Sequence, residues 1–288
     1  MPKDRTSRKL EVFVLHGFQN DQPIDYRALF QRIAEMEAVA RAVQRGSTLI
    51  ALRHFEIEGD HVRIVAYEGP IGEPALIYDM LSAEDRIQYL AATEALAQKT
   101  HAMFSLLTRE LIVEYNKRGA KASDIVNFCQ DLARREDAWD GLDLTFAPVI
   151  EQSFLQALDQ FEVIKTATVK VARPNKNWNS DLKNMLGDLA SDSEARIADV
   201  TLHAARKGTL SKVKGIIAYL RQMVSGPTPS VEGANISGVR EGETANSSIS
   251  LRKHVQSQVV SVYKTPEGLV DDKDIEDKIR KYLGSREE

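Results

Sequence analysis

The sequence predicts an α+β fold of antiparallel sheets with flanking helices, divided into an acidic N-terminal subdomain over 1–140 and a basic C-terminal subdomain over 141–288. Three observations predict it. Strand-like runs recur in neighbouring pairs, which favours antiparallel sheets over a doubly wound parallel one. Amphipathic segments opened by Ser or Asp lie between the pairs. Residues 160–288 hold 20 Lys+Arg against 17 Asp+Glu, whereas residues 1–159 hold 18 against 25.

In chain order, the β-branched and aromatic run Leu10–His16 predicts the first strand. Asp25 is the expected N-cap of a helix reaching Gln44, with Tyr26, Leu29, Phe30, Ile33 and Val43 as its apolar stripe. Thr48–Glu58 and His61–Glu68 predict a hairpin turning at Gly59-Asp60. Ser82-Ala83-Glu84-Asp85 has the form of a capping box, opening a helix through Ile87, Leu90 and Leu96. His101–Leu107 and Leu111–Asn116 predict a strand pair, and Ser123 a helix to Arg134.

In the second half, a helix over Val149–Leu158 precedes a strand over Phe161–Val171. That strand alternates apolar odd positions with polar even ones, the pattern of a half-buried antiparallel strand. A helix over Asp181–Ala190, a strand over Arg196–His203 and a helix over Lys212–Val224 capped by Ser211 follow. Residues 226–242, rich in Gly, Pro, Ser and Thr, read as a loop or as a loop carrying a short strand. Strands over Ile249–Lys253 and Val255–Lys264 and a helix from Asp272, with Ile275, Ile279, Tyr282 and Leu283 on one face, close the chain.

Composition narrows the function. With 43% hydrophobic and 28% charged residues the chain is globular, and its net charge of −4 requires any polyanion binding to be local. The single cysteine, Cys129, excludes an internal disulfide; its neighbours Ile125, Phe128 and Leu132 predict a buried thiol. The charged start, Met1 to Lys9, has no signal-peptide core, and no run approaches the roughly 20 apolar residues of a membrane span. The expectation is a cytoplasmic protein without membrane insertion.

No Gly-rich loop ends in Lys-Ser/Thr, and neither a GxSxG elbow nor an HExxH motif occurs. No catalytic residue, metal ligand or cofactor is assigned. His54, Glu56 and Glu58 would share one strand face with His61 nearby, a geometry open to a divalent cation or to a solvated hairpin face. Glu114-Tyr115-Asn116-Lys117 has the wrong spacing for a metal-nuclease carboxylate–Lys pair. His16 is expected at a strand end.

The basic residues point to nucleic acid. Arg173, Lys176 and Lys183 surround Trp178; Arg206 and Lys207 follow a strand; Lys212, Lys214 and Arg221 belong to one helix; Arg252 and Lys253 end another strand. Point charges at varied heights meet phosphates rather than base edges, so double-stranded DNA would be bound without sequence preference. The alternative is that Asp181, Asp188, Asp192 and Asp199 neutralise these residues on solvated faces.

Ile164–Lys170 (IKTATVK), Asn179–Leu189 and Ile197–Ala204 running into Arg206-Lys207-Gly208-Thr209-Leu210-Ser211, with Leu10–His16, Thr48–Glu68 and His101–Glu114, carry a resemblance. In the order of these elements the chain resembles the Rex A-like abortive-infection family of phage-defence proteins, whose fold is similar to the ring-shaped DNA binder RdgC. The resemblance implies a cytoplasmic, non-enzymatic antiphage protein that binds DNA, pairs with itself as a homodimer and signals to an effector. Two other readings stand beside it. One is a divergent metal-dependent nuclease using His54, Glu56, Glu58 and His61; the other is a protein-interaction or effector subunit whose acidic half docks a partner encoded nearby.

Overall fold

The computed structural model describes residues 4–20, 22–172, 197–225 and 231–287. In chain order these form β1 (Arg5–Gln19), β2 (Gln22–Pro23), α1 (Tyr26–Glu35), β3 (Ala42–Arg45), β4 (Thr48–Glu58), β5 (His61–Pro70), β6 (Ala75–Asp79), β7 (Glu84–Gln88), β8 (Gln98–Ser105), β9 (Glu110–Glu114) and α2 (Ala122–Ala133). Then come β10 (Leu142–Pro148), α3 (Gln152–Asp159), β11 (Phe161–Ala172), β12 (Ile197–His203), α4 (Gly215–Ser225), β13 (Val231–Arg240), β14 (Asn246–Ser250), β15 (Ser257–Tyr263) and α5 (Asp272–Glu287). The fold is α+β with antiparallel sheets and helices, as the sequence predicts. The expected division at 140/141 is replaced by two interleaved units. The first takes residues 4–11, 23–144 and 258–287; the second takes the described residues of 12–22 and 145–257. Both ends of the chain join the first unit because they add strands to its sheet: Tyr115 N donates to Lys9 O at 2.7 Å, and Lys264 N to Asp4 O at 2.9 Å.

The first unit is built on a sheet in the order β1-β9-β8-β5-β4-β3. The register pairs Phe55 with Ile64, Ile64 with Ala102 and Val62 with Phe104, so these side chains share one face. α1 lies on that face, with the Phe30 ring 4.9 Å from Phe104 and 5.7 Å from Phe55. Asp25 caps α1 as expected, accepting from Arg27 N and Ala28 N. The helix nonetheless ends at Glu35, not Gln44. Its apolar stripe stops at Ile33, and Val43 instead pairs with Ile50 in a strand. Cys129 on α2 is buried, and burial pushes its thiol up to about 12, so it stays protonated.

The opposite face carries Arg63, His101, Met103, Ser105, Ile112 and Glu114 beneath α5. Ile275, Ile279 and Leu283 recur every four residues on α5 and are buried. Around this stripe the charges are paired residue by residue. Glu276 meets Arg63 at 2.6 Å, Arg280 meets Glu58 at 2.6 Å, Arg286 meets Glu110 at 2.7 Å and Glu287 meets His61 at 3.1 Å. At the N-terminal end of α5, Asp272 accepts from Lys99 Nζ at 2.7 Å and bonds His101 Nε2 at 3.0 Å. His101 Nδ1 bonds Glu114 at 2.8 Å, and the other Glu114 oxygen lies 2.8 Å from Arg8 Nε. His101 and Glu114 are 1% and 2% exposed, so a charge there is tolerable only when paired. The metal geometry open to β4 is thereby accounted for. His54, Glu56 and Glu58 do lie together in register, but Glu56 is held by Arg63 and Glu58 by Arg280. Among the described residues no group of three or more His, Cys, Asp or Glu converges as a metal site.

Capping chemistry takes two forms other than those expected. The segment opened by Ser82 is not a helix but the β6–β7 hairpin. Asp79 accepts from Leu81 N and Ser82 N, and Ser82 Oγ from Glu84 N, so the capping groups fold a turn. α2 begins at Ala122, where Asp124 accepts from Lys121 N at 2.8 Å, rather than at a Ser123 cap.

The second unit holds an antiparallel sheet in the order β12-β11-β13-β14. Its core joins Phe154 and Leu158 of α3, Phe161, Ile164, Ala167 and Val169 of β11, and Ile217 and Leu220 of α4. β11 departs from strict alternation. Register shifts at Phe161/Val163 and Ile164/Thr166 bury Ile164 and turn Lys165 outward. Gly238 accommodates the bulge, since a Cβ there would stand 1.9 Å from Val163 O. The span 226–242, expected as a loop or a loop carrying a short strand, contains the ten-residue strand β13. The expected strand over Ile249–Lys253 breaks at Ser250, where Leu251–His254 turns into a 3-10 helix. β1 is longer than expected, and His16 lies within it rather than at its end. The predicted helix over Asp181–Ala190 lies outside the described residues.

The paired layer beneath α5 sets two measurable outcomes. Glu114→Ala leaves Arg8 and the buried His101 without their carboxylate and should cost about 3–5 kcal/mol in urea unfolding. Burial, the largest single effect on His101, disfavours its imidazolium. Hydrogen bonds to Asp272 and Glu114 and the charges of both outweigh it, so the pKa is raised above 6.5. Its stabilisation is therefore complete below about pH 6.5 and is lost as pH rises through the raised value. Thermal melts from pH 5 to 9 should decline across that window, and His101→Asn should flatten the decline. In the second unit, Gly238→Ala should lower stability by about 1–3 kcal/mol through overpacking against the β11 backbone.

Candidate nucleic-acid interface

The cationic cluster of the second unit is built by the connection from β12 to α4, residues 204–214. Backbone and side-chain bonds tie this connection to the start of β11. Ala204 N donates to Lys165 O at 2.8 Å, Leu210 N to Ile164 O at 2.9 Å, and Ile164 N to Thr209 Oγ1 at 2.9 Å. Lys165 Nζ reaches Gly208 O at 2.9 Å, and Gly208 N closes a tight turn on Ala205 O at 2.7 Å. At the centre of that turn Lys207 has φ 63°, a left-handed conformation uncommon outside Gly and Asn. The turn holds Arg206 and Lys207 exposed to solvent.

Farther along, Ser211 Oγ accepts from Val213 N at 3.4 Å and Lys214 N at 3.1 Å. The capping expected of Ser211 is thus present, but it closes a turn ahead of the helix. α4 itself starts at Gly215, whose φ of 64° breaks the run. Lys214 is exposed. Lys212 Nζ donates to Asp159 O at 3.2 Å, and Arg221 pairs with the Asp159 carboxylate. Asp159, Lys212, Val213, Ala218 and Arg221 line a cleft of about 460 Å³. Two cations thus converge on Asp159, the last residue of α3.

Arg252 and Lys253 are exposed on the 3-10 turn Leu251–His254. That turn is anchored at the other end of α3: Glu151 N donates to His254 O at 2.9 Å, and His254 Nδ1 lies 3.0 Å from Ser153 Oγ. α3 has eight residues and is about 12 Å long. Arg173, Lys176 and Lys183 lie outside the described residues, as do Asp181, Asp188 and Asp192. Asp199, expected to neutralise the cations, instead stands opposite Lys170 on the sheet.

The outer face of the sheet adds uncharged partners. Thr166 pairs in register with His203 and Ser237, and Thr168 with Thr201 and Asn235. Thr168 and Thr201 share a hydrogen bond of 3.0 Å. Hydroxyl, amide and imidazole groups thus lead directly from β12 into Arg206 and Lys207. Sequence reading misses Lys165, which alternation assigns to the apolar side, and Asp159, which organises Lys212 and Arg221. The one sequence signal for Lys165 is Ile164, an apolar residue out of phase with its neighbours.

No protein-family model matches the chain, and no curated protein matches it. Among the described residues no helix is long and apolar enough to cross a membrane.

Proposed function

We propose that the protein binds the backbone of double-stranded DNA through the second unit, without chemistry of its own. The observation that carries this reading is the connection from β12 to α4. It presents Arg206, Lys207, Lys212 and Lys214 within nine residues and meets Arg221 across one carboxylate. Backbone phosphates are the ligand such an arrangement fits. Ammonium and guanidinium groups on a turn give positive charge and multiple donors, while the neighbouring Thr, Ser and Asn side chains can bond phosphate oxygens but offer no aligned set for one base edge. An acidic chain repels DNA elsewhere on its surface, which confines contact to this region. The antiphage role, the homodimer and the signal to an effector rest on the resemblance to Rex A-like proteins alone.

A gel-shift titration against salt, with sheared duplex and RNA side by side, tests the proposal. Each phosphate left unneutralised should flatten the log-log slope by about 0.9, so Arg206→Ala, Lys207→Ala and Lys214→Ala combined should flatten it by nearly three units. Asp159→Asn should tighten binding, because it releases Arg221 from its carboxylate. Salt-independent retention, or none at moderate salt, would contradict the reading. Cleavage of plasmid with Mg²⁺ or Mn²⁺ that Glu56→Gln abolishes would favour the nuclease instead.

A further inference from the structure

The outward face of the second unit's sheet is polar without being charged. Its register sets His203, Thr166, Ser237 and Ser248 in one row across the four strands. Two residues along, Thr201, Thr168, Asn235 and Ser250 form a second row. Residues between the rows point the other way: Ala167, Ile236 and Ile249 are buried in the core with α3 and α4. Solvent reaches both rows, and Thr201, His203, Asn235 and Ser248 are exposed. Neither row contains Asp, Glu, Lys or Arg, although these make up 28% of the chain and are the usual covering of a solvated sheet face. Charge resumes at the margins. One row farther on, Lys170 stands opposite Asp199 and lies 3.6 Å from Glu232. At the other margin β12 runs from His203 into Arg206 and Lys207.

The side chains of the rows are held ready to donate. Thr168 and Thr201 share a hydrogen bond of 3.0 Å; one hydroxyl donates in that pair, so the O–H of the other is left for a ligand. Thr166 Oγ1 lies 3.3 Å from His203 Nδ1. When that hydroxyl donates, the neutral imidazole carries its proton on Nε2 and is itself a donor. Four strands about 4.8 Å apart make a face roughly 14 Å across, with the rows about 7 Å apart. Such a face is too wide to enter a major groove roughly 12 Å wide, so its short side chains meet the phosphate rims rather than base edges.

We infer that this face makes the site selective for duplex over single strands: one side of a duplex lies across both rows, while the connection beyond β12 supplies the charge. The inference rests on the DNA reading above and adds strandedness to it. A sheet that favours single strands projects aromatic rings on which unpaired bases stack. Here the central strands offer Thr166, Thr168, Asn235 and Ser237, and the sole ring in the rows is His203, at the edge strand. A single strand finds no platform to stack on, and lying across a regular array costs it conformational freedom. A duplex has its bases stacked already and is stiff over a site of this size, so hydroxyl and amide donors meet its phosphates without ordering it first. With no carboxylate in either row, that approach is unopposed.

Fluorescence anisotropy of the full chain with a short duplex, and with one of its strands alone, tests this across a salt series. The duplex should bind more tightly than the single strand at every salt concentration. Thr166→Val with Thr168→Val keeps the β-branching and removes both hydroxyls. It should weaken duplex binding about tenfold or more, as loss of hydrogen bonds to a charged group does. The log-log salt slope should stay unchanged, because uncharged donors release no counterions. Thr166→Ser with Thr168→Ser should restore the affinity, and Asn235→Ala with Ser248→Ala should repeat the loss from the neighbouring strands. Equal or tighter binding of the single strand overturns the inference, as does a slope flattened by the valine pair. So does duplex affinity that survives either the valine or the alanine pair in a folded variant, while Arg206→Ala with Lys207→Ala still flattens the slope. In those cases the DNA reading stands. Absence of any salt-dependent binding by the unaltered chain removes that reading and the inference together.

Discussion

The first unit depends on pairing the charges enclosed between α5 and its sheet. An apolar stripe of Ile275, Ile279 and Leu283 supplies the hydrophobic contact, but that stripe is only one residue wide per turn. On either side Asp272, Glu276, Arg280, Arg286 and Glu287 each find an opposite charge or imidazole on the strands. Such pairs contribute little net stability compared with apolar packing; their consequence is register. Sliding α5 by one turn would leave Arg63, His101 and Glu110 facing the wrong groups, at a cost that grows with their burial. His101 is the strictest case, because both ring nitrogens are committed, one to Glu114 and one to Asp272.

In the second unit the corresponding constraint is a backbone irregularity. The bulges in β11 bury Ile164, turn Lys165 outward and require Gly238 on the neighbouring strand. Once Lys165 points outward, its ammonium and the Ile164 backbone hold the connection from β12 to α4 in place. Local strand geometry therefore decides where Arg206, Lys207, Lys212 and Lys214 are displayed. Asp159 at the end of α3 organises Lys212 and Arg221 while offsetting part of their charge.

Local pattern makes much of the fold legible. Alternation and turn residues locate β4, β5, β8, β9, β11 and β12, and an apolar stripe repeating every four residues locates α5. Asp25 marks the start of α1 because capping is a contact within three residues. The same local chemistry misleads at Ser82, where the run Ser82-Ala83-Glu84-Asp85 could cap a helix or follow a turn. Asp79 settles it by accepting from the backbone of Leu81 and Ser82. The 226–242 segment reads in isolation as a loop with at most a short strand because Gly, Ser and Asn weaken strand propensity, yet the longer β13 is stabilised by partners on both edges.

By itself the sequence determined the fold class, most element positions, the buried Cys129 and which basic residues were available. These depend on spacing and on the solubility of each side chain, which are properties of short segments. Only the tertiary structure decided that both chain ends join the first unit, that Glu56 and Glu58 face arginines, that Lys165 and Asp159 belong to the cationic cluster, and that the β6–β7 apolar face meets water. Those outcomes depend on which distant segments pair, and a periodicity that reports burial cannot say against what a residue is buried.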